Sequence, residues 1–90
     1  MTPVRFVVRA RSDPQTLPRL INYVVQLGMI PRRVRADEAD GIMTVLIEQD
    51  GLGDHQACII ANKMASSVLI EDVRLTRGRQ PMVPLCGLSI

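Results

Sequence analysis

Apolar and polar side chains alternate in the first segment of the chain, from Val4 to Ala10. On an extended backbone one side would carry Val4, Phe6, Val8 and Ala10, and the other would carry Arg5, Val7 and Arg9. A period of two residues is typical of a strand that is buried on one side only. The pattern therefore predicts a half-buried strand over these residues.

The next segment changes to helical spacing. Its apolar positions are Leu17, Leu20, Ile21, Val24 and Leu27. Residues 12–14, with the sequence Ser-Asp-Pro, favour the start of a helix. Because Pro18 fits only where its missing N–H would be unpaired anyway, we expect the regular helix to begin near Gln15. Gly28 is predicted to end this helix as a left-handed cap.

A hairpin, a second helix and a last strand follow. A strand from Pro31 to Asp37 leads through an Asp40-Gly41 turn into a strand from Ile42 to Gln49, and each is predicted to have one solvent-facing side. The stripe of the second helix consists of Ala57, Ile60, Ala61 and Met64, whereas Ile59 lies outside that stripe. The last strand is predicted from about Ile70 to Thr76.

The order of these elements is strand, helix, strand, strand, helix, strand. It predicts an α+β fold, a ferredoxin-like βαββαβ sandwich in which a four-stranded antiparallel sheet carries two helices on one face. Residues 1–76 suffice for this domain. Residues 77–90 form an apolar tail in which Pro81 and Pro84 discourage a helix. We expect the tail to pack, either over its own domain or on a partner.

The amino-acid composition limits the classes of function that the chain could have. The chain has 90 residues, of which 47% are hydrophobic and 2% aromatic, and its formal net charge is +2. A chain of this size sustains one two-layer core, and its charge is far below that of a dedicated nucleic-acid binder. No apolar run is long enough for a transmembrane span, and a signal peptide is not recognisable, so we expect a cytoplasmic protein.

Candidate chemistry is sparse. Cys58 and Cys86 are isolated in the sequence, and His55 is the only histidine that could serve as a nitrogen ligand beside them. The sequence therefore indicates neither a zinc site nor a disulfide framework. No nucleophile, base and orienting group can be assembled around His55. The sequence therefore predicts a non-catalytic protein without catalytic residues, metal or cofactor.

The sheet side without helices carries the clearest candidate surface. Its predicted members are Arg5, Val7, Arg9, Arg33, Arg35, Thr44, Leu46, Glu48 and Arg74. An apolar centre with an arginine-rich rim is typical of a protein interface, although an ordinary solvated face has the same composition when arginine stems cover apolar neighbours. We expect a partner interface at Arg5, Val7, Arg9, Arg33, Arg35 and Leu46, with Ile59 as further exposed aliphatic surface, and hence a dimer or larger assembly.

The chain also resembles a known family. The resemblance rests on the first strand, the sequence Asp-Pro-Gln-Thr-Leu-Pro-Arg-Leu of residues 13–20, the helix end at residues 27–29 and the following hairpin. Together these segments are similar to an ACT domain, and within that class to the short small subunits of acetolactate synthase. The resemblance covers residues 4–76.

This resemblance implies a regulatory subunit that forms a homodimer, binds an amino acid effector at the interface of the pair, and acts on the large catalytic subunit of a thiamine-diphosphate synthase. The effector positions that it implies are Ser12, Asp13, Gln15, Thr16 and Ile30. Ser12, Gln15 and Ile30 differ from the Asn, Gly and Asn of valine-responsive subunits, and a side chain at Gln15 obstructs close approach to the backbone.

Three functions follow as hypotheses. The leading one is a regulatory or stabilising subunit of an acetolactate-synthase-type enzyme in branched-chain amino acid biosynthesis. The alternative is a stand-alone ACT domain that senses a small ligand such as an amino acid. A nucleic-acid-binding module based on Arg5, Arg9, Arg33 and Arg35 ranks last, because the net charge is small and stacking residues are missing.

Overall fold

The computed structural model describes residues 2–81, with side chains to residue 79. The elements, in chain order, are β1 (Val4–Arg11), α1 (Thr16–Val25), β2 (Arg33–Ala39), β3 (Ile42–Gln49), α2 (Asp54–Ala65), β4 (Ile70–Arg77) and β5 (Gln80–Pro81). They form one antiparallel sheet of order β2-β3-β1-β4-β5. The four long strands and two helices confirm the predicted ferredoxin-like βαββαβ fold.

The inner side of β1 is the centre of the core. Val4, Phe6, Val8 and Ala10 are fully buried, as the alternation predicts. Phe6 lies between Ile47 on β3 and Leu75 on β4, and both of these residues are also buried. The helices cover this side with Leu20, Val24, Ala57, Ile60, Ala61 and Met64. Since Phe6 is the only aromatic residue among the buried ones described, the core is almost wholly aliphatic.

Several boundaries differ from the prediction by one or two residues. Helix α1 begins at Thr16, with Gln15 as its N-cap, and the chain after it turns at Gly28, whose φ is +74°. The hairpin turn has positive φ at both central residues, 52° at Asp40 and 79° at Gly41. This is the type I′ geometry that matches the twist of a hairpin, and it extends β2 to Ala39.

Strand β2 is the main departure from the sequence pattern. It lies at the edge of the sheet, and all seven of its residues are exposed. Val34 and Ala36, which the alternation places toward the helices, are therefore not covered, and the expectation of one buried side is wrong for this strand. The physical reason is that the helices pack over the three inner strands and leave the edge free.

The other edge is formed by a short hairpin that the sequence did not predict. Strand β4 continues through Arg77, turns at Gly78 with φ +61°, and pairs with β5, so that Arg77 lies opposite Gln80 and Thr76 opposite Pro81. Residues 82–90, and with them most of the predicted tail, lie outside the described part of the chain. Neither helix in residues 2–81 has the length and apolarity needed to cross a bilayer.

Candidate functional site

The side of the sheet without helices is a regular grid of side chains, which we call the outer sheet face. Strand pairing aligns its middle row as Arg35, Leu46, Val7 and Arg74. One neighbouring row contains Arg33, Glu48, Arg5 and Thr76, and the other contains Asp37, Thr44, Arg9 and Asp72. The predicted grouping of arginines around Leu46 and Val7 is therefore present.

Ion pairs surround the apolar centre of this face. Val7 and Leu46 are half-buried, whereas Arg35 and Arg74 at the two ends of the row are exposed. Each of these arginines contacts an aspartate two residues away on its own strand, because Arg35 Nε lies 3.3 Å from Asp37 and Arg74 Nε lies 3.3 Å from Asp72. The face is thus apolar at its centre and nearly charge-balanced at its rim.

Glu48 is the most restrained charge on the outer sheet face. Its residue is 8% exposed, and its Oε2 accepts hydrogen bonds from Arg5 Nε at 3.1 Å and Arg5 Nη2 at 2.7 Å. These bonds lower the pKa of the Glu48 carboxyl below its ordinary value; burial opposes the shift, and the charges of Arg5, Arg33 and Arg32 add to it. Glu48 therefore stays ionised and orders the arginines above it.

The loop between β1 and α1 contains three of the five predicted effector residues, and a fourth, Thr16, is the first residue of α1. Ser12 and Gln15 are exposed, and Asp13 is half-buried. The Asp13 carboxylate accepts a hydrogen bond from the Gln15 backbone N–H at 2.8 Å, and the Gln15 side-chain oxygen accepts one from Arg19 at 2.9 Å. These local bonds give the loop one shape, with Ser12 and Gln15 at its surface.

Thr16 does not share that surface. It is 1% exposed, and its hydroxyl donates a hydrogen bond to the Arg11 carbonyl at 2.8 Å. The niche that it lines with Leu20 and Tyr23 has a volume of about 10 Å³, which is room for about one water molecule. Thr16 therefore fastens α1 to the end of β1, and its side chain is not available to an effector.

Ile30, the fifth predicted effector residue, lies at the opposite end of the sheet. The Ser12 N–H donates to the Gly41 carbonyl at 2.9 Å, which places the β1–α1 loop beside the β2–β3 turn. Ile30 instead precedes the start of β2 and is 87% exposed, with its carbonyl held by the Gln49 amide at 3.2 Å. The length of β2, about 20 Å, separates it from the loop within one chain.

Ile59 is also separate from the other predicted interface residues. It lies on α2, on the helical side of the molecule, in a groove between the helices that Tyr23, Leu27 and Lys63 also line. The six predicted residues on β1, β2 and β3 share the outer sheet face, so the two sets belong to different surfaces. Leu27 and Ile59 are 45% and 37% exposed.

The four arginines of the nucleic-acid hypothesis all contact carboxylates. Arg5 and Arg33 contact Glu48, Arg35 contacts Asp37, and Arg9 lies 3.6 Å from Glu71. Such pairing cancels most of the positive potential that a phosphate backbone requires. Residues 2–81 contain no group of His, Cys, Asp and Glu placed to hold a metal ion.

Two features of the site are not evident in the sequence pattern. One is the open edge of β2, which alternation assigns to a half-buried strand. The other is Gln49, a buried polar residue at 3% exposure that fixes both Ile30 and Asp50 through its amide. The sequence does contain a signal for the open edge, because charged residues make up most of β2, with Arg33 and Arg35 before Asp37 and Glu38.

Comparison with known proteins places this geometry in a family. A family model described as an ACT-like domain matches residues 1–82. The fold is similar to the solution structure of the C-terminal domain of the MgtC protein from Mycobacterium tuberculosis, with a TM-score of 0.68 and 14% sequence identity over 92% of this chain and 94% of that one. A search of curated proteins by sequence gave no significant match.

Proposed function

Because this chain belongs to the ACT-like domain family, we propose that it is a non-catalytic, cytoplasmic regulatory domain that senses a small ligand such as an amino acid as a homodimer. The observation that carries the proposal is the open edge of β2. This edge is exposed along its whole length, and its own sequence is complementary to a second copy.

The backbone of β2 is arranged for such pairing. In the β2–β3 hairpin, the pair that closes the two-residue turn, Ala39 and Ile42, is hydrogen-bonded, and bonded pairs then alternate along the ladder. The N–H and C=O groups of Val34, Ala36 and Glu38 consequently point away from β3. A second copy of β2 that runs antiparallel, with Ala36 opposite Ala36, can form hydrogen bonds with all of these N–H and C=O groups.

The side chains agree with this register. Arg35 lies opposite Asp37 of the partner subunit, and Arg33 lies close to the acidic end of the partner's strand. Opposite charges directly across an antiparallel pair are worth about 0.2–1 kcal/mol each, and the two-fold axis doubles every contact. The two sheets then join into one, as paired edge strands do.

Pairing through β2 also completes the candidate effector site. An antiparallel two-fold places the start of one β2 beside the end of the other, so the partner's Ile30 comes to the same end of the joined sheet as Ser12, Asp13 and Gln15. Within one chain these residues lie at opposite ends of the sheet. The proposed site is therefore shared between two copies, and neither copy holds it alone.

The first turn of α1 supplies the chemistry for an amino acid. It contains no acidic residue of its own, but the Asp13 carboxylate just before it accepts the Gln15 N–H at 2.8 Å, so an anion already lies at the positive end of the helix. Arg19 lies one turn into the helix, beside Gln15. A ligand carboxylate is favoured beside the Arg19 guanidinium and a ligand ammonium beside the Asp13 carboxylate, and an apolar ligand side chain is favoured against the exposed Ile30 of the partner.

Calorimetry with valine and leucine tests this proposal. We expect heat of binding to the wild-type dimer at millimolar ligand, weaker binding in Gln15→Trp because the larger side chain fills the site, and no change in Gln26→Trp on the far end of α1. The proposal would be contradicted if these and other amino acids gave no heat of binding. It would also be contradicted if the Gln15→Trp dimer bound the ligand as tightly as the wild type does.

The outer sheet face favours a second candidate. Its apolar centre and arginine rim suit the docking of a larger protein, and the proposed partner is the large subunit of an acetolactate-synthase-type enzyme. Tagged protein expressed in its source cells would then recover a thiamine-diphosphate synthase and alter that enzyme's activity. Recovery of no such enzyme, with activity unchanged, would exclude this partner and leave the ligand-sensing proposal standing.

A further inference from the structure

We propose that the groove between α1 and α2 binds a short aliphatic monocarboxylate, with the carboxylate of the ligand at Lys63. The groove lies on the helical side of the molecule and has a volume of about 210 Å³. An apolar cavity of about 150 Å³ holds one benzene molecule, so this groove has room for a ligand of about eight non-hydrogen atoms, the size of hexanoate. The groove is separate from the proposed effector site, to which the β1–α1 loop contributes.

Aliphatic side chains from both helical segments line the groove. Leu27 follows the end of α1, and Ile59 lies on α2; both are exposed, whereas the neighbouring Ile60 is buried in the core. The ring of Tyr23 adds further apolar surface to the same wall. Because removal of apolar surface from water is favourable, an aliphatic chain is favoured between Leu27 and Ile59.

Chain direction places Lys63 at one end of the groove. Strands β1 and β3 are antiparallel, and each leads into a helix that returns along the sheet, so α1 and α2 run in opposite directions. Gln26, just after α1, therefore lies at the same end as Gln56 in the first turn of α2. The seven-residue step from Gln56 to Lys63 spans about 10 Å of helix, which leaves room for an extended hexanoate.

Lys63 is the only charged side chain among the described residues that line the groove. It is the only lysine of the chain, and it lies in the last turn of α2. The ion pairs within residues 2–79 are all made by arginines, so Lys63 takes part in none of them. An ammonium group at one end of an apolar groove favours a ligand with a carboxylate head and an apolar chain.

The same lining disfavours an amino acid. The described lining residues include no Asp or Glu that could accept hydrogen bonds from a ligand ammonium, whereas the β1–α1 loop has Asp13 for that purpose. Desolvation of an ammonium group without such a partner is unfavourable. The ligand class is therefore a carboxylic acid without an amino group, and it differs from the amino acid of the proposed effector site.

Titration of the full chain with hexanoate, followed by its methyl NMR signals, tests the proposal. We expect saturable shifts at millimolar hexanoate that are largest at Leu27 and Ile59 and smallest at Val7 and Leu46 on the outer sheet face. Hexylammonium has the same aliphatic chain and the opposite charge. It should bind about fivefold more weakly, because the contact with Lys63 becomes repulsive.

Variants of Lys63 separate the head group from the aliphatic chain. Lys63→Gln should weaken hexanoate binding about fivefold, since the pair with the ligand carboxylate is lost. Lys63→Glu should reverse the preference, so that hexylammonium binds more tightly than hexanoate. The control is Arg79→Gln, which removes an exposed positive charge outside the groove and should bind hexanoate as the wild type does.

Other outcomes would overturn the proposal. Equal binding of hexanoate and hexylammonium would mean that Lys63 takes no part, and shifts that never saturate would mean that the groove binds neither. Shifts of Leu27 and Ile59 that grow with protein concentration alone would assign the groove to a second copy. Gln15→Trp, at the proposed effector site, should leave hexanoate binding unchanged, so the failure of one site is distinguishable from the failure of the other.

Discussion

Glu48 shows how one charge can organise a surface. Its carboxylate lies under Arg5 and beside Arg33 on the outer sheet face, with its pKa lowered mainly by the hydrogen bonds from Arg5. A carboxyl whose pKa is lower in the folded state than in the unfolded chain binds protons more weakly when folded. Its stabilisation is therefore present above the unfolded pKa and is lost as the pH falls through the folded one.

The first prediction concerns this pH dependence. The free energy of unfolding of the wild type should decrease as the pH falls below about 4.5, because protonation of Glu48 weakens its bonds to Arg5. In Glu48→Gln the part of this decrease that belongs to Glu48 should disappear. Urea unfolding at several pH values measures it, with Glu71→Gln, an exposed glutamate, as the control. Parallel curves for the wild type and Glu48→Gln would contradict the assignment.

Arg77 joins three segments at one point. Its guanidinium donates to the Thr2 carbonyl and the Leu52 carbonyl, each at 2.6 Å, and to the Asp54 carboxylate at 2.8 Å. The N-terminal segment, the loop before α2 and the end of β4 are thereby held together. The planar guanidinium of arginine has five N–H donors and can therefore bind all three oxygen atoms at once, whereas the ammonium group of lysine is a single point of charge.

The second prediction is that Arg77→Lys destabilises the fold by about 1–3 kcal/mol, since it leaves the partly buried Leu52 carbonyl without its donor. Chemical denaturation measures the loss. Arg79→Lys is the matched control, because Arg79 is exposed in the adjacent turn and should change stability by less than about 0.5 kcal/mol. Equal stability of the two variants would mean that the Arg77 contacts contribute little.

At the level of elements, β2 combines two properties that are rarely found in the same strand. It is a long, exposed edge, and it carries charges of opposite sign at its two ends. Charged side chains usually protect an edge from pairing. In the proposed homodimer, the order of these charges would favour antiparallel pairing with a second copy over pairing with an unrelated strand.

The third prediction tests this charge order. Arg35→Asp should weaken the homodimer about tenfold, because two symmetry-related contacts of about 0.5–1 kcal/mol each become repulsive. Arg35→Asp combined with Asp37→Arg should restore the affinity. Arg74→Asp, which breaks the equivalent pair on β4, should leave it unchanged. Light scattering over a dilution series measures the dimer fraction, and a wild type that is monomeric at micromolar concentration would refute the dimer.

For the whole molecule, the proposed site shared between two chains would couple ligand binding to assembly. A ligand that contacts both the β1–α1 loop of one copy and Ile30 of the other stabilises only the dimer. By linkage, the dimer then binds the ligand more tightly than separate chains do, and by the same factor. Ligand concentration can in this way be converted into a change of assembly that a partner protein detects.

The fourth prediction follows from this coupling. An amino acid effector at 100 times its dissociation constant should stabilise the folded dimer by about 2.7 kcal/mol, which thermal unfolding detects as a higher midpoint. In Ala36→Pro, in which pairing through β2 is blocked while the β3 ladder is left intact, the same ligand should give no shift. A shift of equal size in both proteins would show that a single chain binds the ligand by itself.

The sequence predicted the fold well where burial is strongly patterned. The period of two in β1, the helical stripes of α1 and α2, and the Asp-Gly turn each involve only local spacing, and the structure agrees with them. The sequence could not predict that β2 is exposed on both sides. The alternation of Val34 and Ala36 with polar residues shows which side chains share a side of the strand, but not whether a helix packs on that side. The separation of Ile30 from Ser12 likewise depends on strand direction, which no single segment encodes.

The central position of β1 affects how the chain is made. Val4 pairs with Arg77, so β1 leaves the ribosome before β4, one of its two neighbours in the sheet, has been synthesised. Until then the flank of β1 that faces β4 stays unpaired, although both helices precede β4 in the chain. Contacts of such high sequence separation form slowly, and the nascent chain is accordingly exposed to aggregation until β4 emerges.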